Sequence, residues 1–147
     1  RRNMMIASTI GGMAFISSNV GAVHAFAETV GAWFDTPHGV ANSLFLPYIM
    51  EFNIPACPER FADIADAMGI EREESMSDEQ YALKAVEYVK ALNRKLNIPT
   101  IKEIKGITEE RFEAIAERSA NNVLSNDNAR KITKEDYLEL LKKAYNE

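Results

Sequence analysis

The hydrophobic positions of this chain change character near residue 51. Before it they crowd together. Met4, Met5, Ile6, Ile10, Met13, Phe15 and Ile16 surround Gly11 and Gly12, a pattern that predicts a helix over 4–17. Paired glycines inside a helix cost about 1 kcal/mol each relative to Ala, so they point to close approach by a neighbouring backbone or ligand. The stretch SSNVG at 17–21 breaks the pattern, and a second helix is predicted from Ala22 to Phe34. DTPHG then ends it: Asp35 or Thr36 can cap the next helix, and Pro37 suits its first turn. That third helix covers 37–51 through Val40, Leu44, Leu46, Ile49 and Met50.

Beyond residue 51 apolar and polar positions separate onto faces. Phe61, Ile64, Ala65 and Met68 predict an amphipathic helix over 58–69, with Gly69 as its C-cap. Ser77 followed by Gln80 has the spacing of a capping box and opens a helix over 77–97 that carries Leu83, Val86, Val89, Leu92 and Leu96. Thr108 opens a helix over 108–120, with Arg111 where an acid would complete the box. Thr133 with Asp136 opens the last helix, 133–145, and Lys142 and Lys143 near its end suit the helix dipole. No alternating strand pattern longer than a few residues occurs. The expected fold class is all-α, in one domain spanning residues 1–147.

Charge follows the same division. Between Asn3 and Met50 the only charged side chains are Glu28 and Asp35, and residues 51–147 account for the whole net charge of −5. The acidic balance and the lack of any Lys/Arg-rich run exclude a nucleic-acid footprint. The apolar stretch at 4–26 is long enough to span a membrane, but Ser8, Thr9, Ser17, Ser18, Asn19 and His24 interrupt it and glycines dilute it. Helices buried on most sides within a larger body fit it better, and no signal-peptide cleavage pattern appears. Cys57 is the only cysteine, which excludes an internal disulfide and favours a reducing, cytoplasmic setting. The chain starts on Arg and runs straight into an apolar pattern, as expected of a segment of a longer protein.

Both histidines lie in the weakly charged part, 14 residues apart. One helix face cannot hold both. If a helix ends near Phe34 and the next starts near Pro37, the chain doubles back, with His24 early in one helix and His38 at the start of the next. Two imidazoles from neighbouring elements can share one divalent ion. Two hydrogen-bonded core or turn histidines are the plainer alternative, and two ligands are half a site.

The segment GAVHAFAETVGAWFDTPHGVANSLFLPYIMEFN (21–53) resembles the signature region of iron-containing (group III) alcohol dehydrogenases. Gly21, His24, Gly31, Pro37-His38-Gly39 and Ala41-Asn42 match the family pattern, including the interval between its two ligand histidines. MAFISSNVG upstream and NARKITKEDYLELLKKAY near the end are similar to family segments as well, so the resemblance covers essentially the whole chain.

The resemblance implies the C-terminal helical domain of a two-domain enzyme whose N-terminal α/β domain, absent here, binds NAD or NADP. It implies Fe²⁺, or Zn²⁺ in its place, with His24 and His38 as two of four ligands and an Asp and a His supplied from upstream. It also implies a small alcohol or aldehyde as substrate. Glu28 stands where many members have a further histidine. One turn from His24, it can orient the ligand, relay a proton or simply line the cleft. Phe15 and Leu124 match positions lining the substrate pocket of relatives, and core packing accounts for either equally well. Two other readings stay open: a non-catalytic helical domain, alone or as a homo-oligomer, and part of a zinc-dependent glycerol dehydrogenase-like enzyme.

Overall fold

The computed structural model describes the backbone of residues 1–147 and every side chain but that of Ser17. It contains seven α-helices: α1 (Arg2–Ser18), α2 (Ala22–Phe34), α3 (His38–Asn53), α4 (Pro58–Ala67), α5 (Asp78–Lys95), α6 (Phe112–Ala120) and α7 (Lys134–Asn146). Short 3₁₀ turns at Ile54–Ala56, Ile101–Glu103, Glu109–Arg111 and Val123–Asp127 join them. There is no strand among the described residues, as the pattern predicts.

Two cores form, and α3 serves both. In the first, Phe26 of α2 stacks on Phe45 of α3 at 4.2 Å between ring centroids, and Tyr137 of α7 meets Phe26 edge-on at 4.6 Å. Ile115 of α6, Ile49 of α3 and Leu141 of α7 complete this fully buried centre. Buried aromatics in these geometries contribute roughly 0.5–1.5 kcal/mol per pair beyond the area they remove from water. The second core sets Met50 and Ile54 against Ala62 and Ala65 of α4 and Tyr81, Ala82, Ala85, Val86 and Val89 of α5. The run of alanines lets these backbones approach closely. Tyr81 is wholly buried, and its hydroxyl donates to Asp66 at 2.7 Å or to the Ile70 carbonyl at 2.6 Å.

Pro47 lies inside α3. Proline has no N–H, so the carbonyl of Ser43 loses its intrahelical partner. Asn93 of α5 takes its place, donating from Nδ2 to the Ser43 carbonyl at 2.6 Å. A defect in one helix thus becomes the point at which a second helix is fastened to it.

The boxes Ser77–Gln80 and Thr133–Asp136 form as predicted, each hydroxyl accepting the N3 backbone N–H and each N3 side chain accepting the cap N–H. Gly69 terminates α4 with φ +72°. Two capping expectations need correction. Thr108 makes no side-chain cap; the chain enters α6 through the 3₁₀ turn Glu109–Arg111. Neither Asp35 nor Thr36 caps α3. Pro37 is its N-cap, and Asp35 instead ends α2 in the left-handed conformation at φ 50°. Within this chain α2 and α3 are buried on most sides, while Met4, Met5, Ile10, Met13 and Ile16 of α1 are exposed, Ile16 at 79%. Nothing comes within 4 Å of a Cβ built on Gly11 or Gly12, so no described residue makes the close approach that the paired glycines led us to expect.

Tyr137 gives the fold a signature in alkaline solution. Burial pushes its phenol up to about 12 from the ordinary 10.0, against the opposing hydrogen bond with Ser125. A raised folded pKa means that stability is fully present below pH 10 and is lost as pH climbs towards 12. Denaturant midpoints are therefore expected to hold up to pH 10 and fall beyond it, with a shallower fall in Tyr137→Phe; equal slopes in the two proteins would refute this.

Candidate metal site on the α2–α3 face

The reversal between α2 and α3 builds the site. After α2 the chain crosses back over Gly31, where an added Cβ would lie 3.2 Å from the Thr36 carbonyl oxygen. Any side chain at Gly31 would push the turn outward, which explains a glycine there. Pro37, with φ −53°, then delivers His38 as the first residue of α3. His24 sits in the first turn of α2, its N–H bonded to the Gly21 carbonyl at 3.0 Å.

The two imidazoles meet. Their ring centroids are 5.3 Å apart with the planes tilted by 51°. They share an open recess with Val20, Val23, Leu46 and Asn42. Burial is the largest influence on His24 and lowers its pKa below the ordinary 6.5; His38 lowers it further, and Glu28 opposes both. His24 is therefore held towards the neutral, electron-donating form at neutral pH.

His38 is oriented by its own helix. Asn42, one turn on, directs its Nδ2 to His38 Nε2 at 3.0 Å and to the His38 carbonyl at 2.9 Å. The carbonyl fixes which way the amide faces, so Nε2 accepts and the ring carries its proton on Nδ1. The other end of the amide, Asn42 Oδ1, is buried with no hydrogen-bond partner among the described residues. Such an atom is costly to bury unmet.

The remaining candidates fall elsewhere. The Glu28 carboxylate accepts from Asn122 Nδ2 at 2.8 Å, drawing it towards the end of α6. It lines a separate polar groove with Thr29, Glu117, Arg118 and Asn121. Leu124 packs against the first core. Phe15 stands on α1 with 52% of its surface in solvent. Neither lines the recess around the histidines. Among the described residues no cluster of three or more His, Cys, Asp or Glu side chains is placed to hold a metal. The histidine pair is by itself a partial donor set.

Sequence reasoning missed three asparagines: Asn42, Asn122 and Asn128. Asn42 was visible only as part of the motif. Asn122 and Asn128 act across 94 and 106 residues, a range that no local pattern reports.

The model of the "Fe-containing alcohol dehydrogenase family, C-terminal" matches residues 1–145. The chain belongs to that family. It is 38% identical to the lactaldehyde reductase of Escherichia coli (strain K12) over 142 residues, covering 97% of this chain and 37% of that protein. It is 37% identical to the 1,3-propanediol dehydrogenase of Citrobacter freundii over 145 residues, covering 99% of this chain and 37% of that one. A crystal structure of 1,3-propanediol oxidoreductase superposes with a TM-score of 0.88 at 36% identity, over 94% of this chain and 36% of the other. An alcohol dehydrogenase from Oenococcus oeni gives 0.85 at 41% identity, over 91% and 35%. The chain thus spans little more than a third of the length of these relatives. Its all-helical architecture is that of their C-terminal part.

The charge relation between Glu28 and His24 can be read directly. Glu28 raises the His24 pKa, so Glu28→Gln should shift the His24 titration, followed by NMR, to lower pH. A rise, or no movement, would show that the carboxylate does not act on the ring.

Proposed function

We propose that this chain is the metal-binding helical part of an alcohol dehydrogenase that interconverts a small alcohol and its aldehyde with NAD or NADP. The convergence of His24 and His38 carries the reading. The two rings fit an ion held by nitrogen donors: they face one recess, and burial favours the neutral form of His24. His24 and His38 would hold Fe²⁺ or Zn²⁺, together with ligands from outside this chain. When bound, such an ion supplies Lewis-acid polarisation of an alcohol or carbonyl oxygen.

The chain's own contribution is to place the rings. The reversal over Gly31 presents the two rings side by side in an open recess, with the apolar Val20, Val23 and Leu46 on its wall. Asn42 holds the one lone pair of His38 Nε2 in a hydrogen bond at 3.0 Å, so ligation through Nε2 requires the amide to hand that lone pair over to the ion. Glu28, tied to Asn122, tunes His24 through space and does not touch its ring as a proton relay would. Phe15 and Leu124 enter the proposal only as one wall of a pocket completed by the rest of the enzyme. The nicotinamide cofactor falls to that remainder too. Seven large exposed apolar side chains on α1 support a chain that belongs to a larger body over a stand-alone helical domain. The match over residues 1–145 supports the iron family over a glycerol dehydrogenase-like enzyme.

Metal analysis of the complete protein tests the ligand assignment. His24→Ala and His38→Ala are each expected to lose most of the bound metal, with alcohol oxidation falling in parallel. Undiminished metal content in both variants would end the proposal.

A further inference from the structure

The start of α2 has no side-chain cap of its own. Gly21 is the N-cap residue, and the first free donor, Ala22 N–H, is met by Asn128 Oδ1 at 3.3 Å, from 106 residues further along. The same oxygen accepts from Asn53 Nδ2 at 3.1 Å. In return Asn128 Nδ2 donates to Asn53 Oδ1 and to the Arg130 carbonyl, both at 2.7 Å. One amide therefore joins the first turn of α2, the last residue of α3 and the loop before α7, with all its donors and both acceptor sites in use.

The joint is reinforced on both sides. Arg130 donates from Nη1 to the Phe52 carbonyl at 3.0 Å and lies over the Phe52 ring at 4.2 Å. Asn19, just before α2, donates to Asp127 at 2.7 Å. The fit leaves no space: a Cβ on Gly21 would lie 3.0 Å from Asn128 Oδ1 and 3.2 Å from Asn128 Cα. Gly21 is small because Asn128 occupies the room a side chain would need.

His24 stands in the turn that this joint begins, and Asn53 ends the helix that His38 begins. Asn128 ties the first turn of α2 to the last residue of α3, and the two rings lie 5.3 Å apart on the same helix pair. We propose that Asn128 is a positioning residue for His24, acting through the Ala22 N–H and Asn53 to hold the imidazole at metal-binding distance from His38. The proposal rests on the reading of both histidines as ligands. Asn128 touches neither ring, so its effect appears in the quality of the site.

The test compares variants of the complete protein by Zn²⁺ affinity in competition with a chromophoric chelator, the visible spectrum of the Co²⁺ form, and amide exchange at Ala22. Asn128→Ala is expected to weaken Zn²⁺ binding by about 10–100-fold, the range for groups that orient a ligand, to alter the Co²⁺ spectrum and to speed exchange at Ala22. Gly21→Ala reaches the same joint from the other side and should do the same; it decides the matter alone if Asn128→Ala does not fold. Tyr81→Phe serves as the control, because it strips two alternative partners from a buried hydroxyl in the second core. It should lower thermal stability while leaving Zn²⁺ affinity within about twofold. Wild-type affinity in the Asn128 and Gly21 variants, or an equal loss in Tyr81→Phe, would overturn the proposal. Should the wild-type protein bind no Zn²⁺ or Co²⁺, the ligand reading falls instead, and exchange at Ala22 decides the anchoring: faster in Asn128→Ala supports it, unchanged refutes it.

Discussion

Everything on the histidine face depends on the closeness of one turn. The chain leaves α2, passes its Thr36 carbonyl over the bare backbone of Gly31, and starts α3 at once. A longer or looser connection would let α3 slide along α2. His24 and His38 would then be two unrelated polar residues on neighbouring helices. The stacked pair Phe26 and Phe45, pinned by Tyr137, resists that slide from inside the core. Hydrophobic packing gives the two helices their attraction, and the glycine contact gives them their register.

Much of this was legible in the chain alone. Helices α2 and α3 follow from apolar spacing and from the break at DTPHG, and the capping boxes at Ser77 and Thr133 announce themselves by residue type and interval. These are local interactions, and local interactions leave local traces. The convergence of the two histidines could also be argued, because a short break between helices forces a reversal. Asp35 misled for a related reason: residue type suggested a cap, while its left-handed backbone ended α2 instead.

What escaped is long in range. Asn122 reaches Glu28, Asn128 reaches Ala22 and Asn93 reaches Ser43, each across dozens of residues. An asparagine in a loop looks the same whether it caps a distant helix or faces water. The position of α1 was equally hidden. Its composition signals burial, but what buries it cannot be read from its own residues.

The brace between Asn93 and the Ser43 carbonyl links parts that look independent. Ser43 helps to line the recess beside Asn42, while Asn93 belongs to α5, the helix that packs with α4 in the second core. The Asn93 amide is therefore a buttress for the histidine face, set on a helix that faces away from it. Removing that one amide would slacken a wall of the recess without altering any residue that lines it.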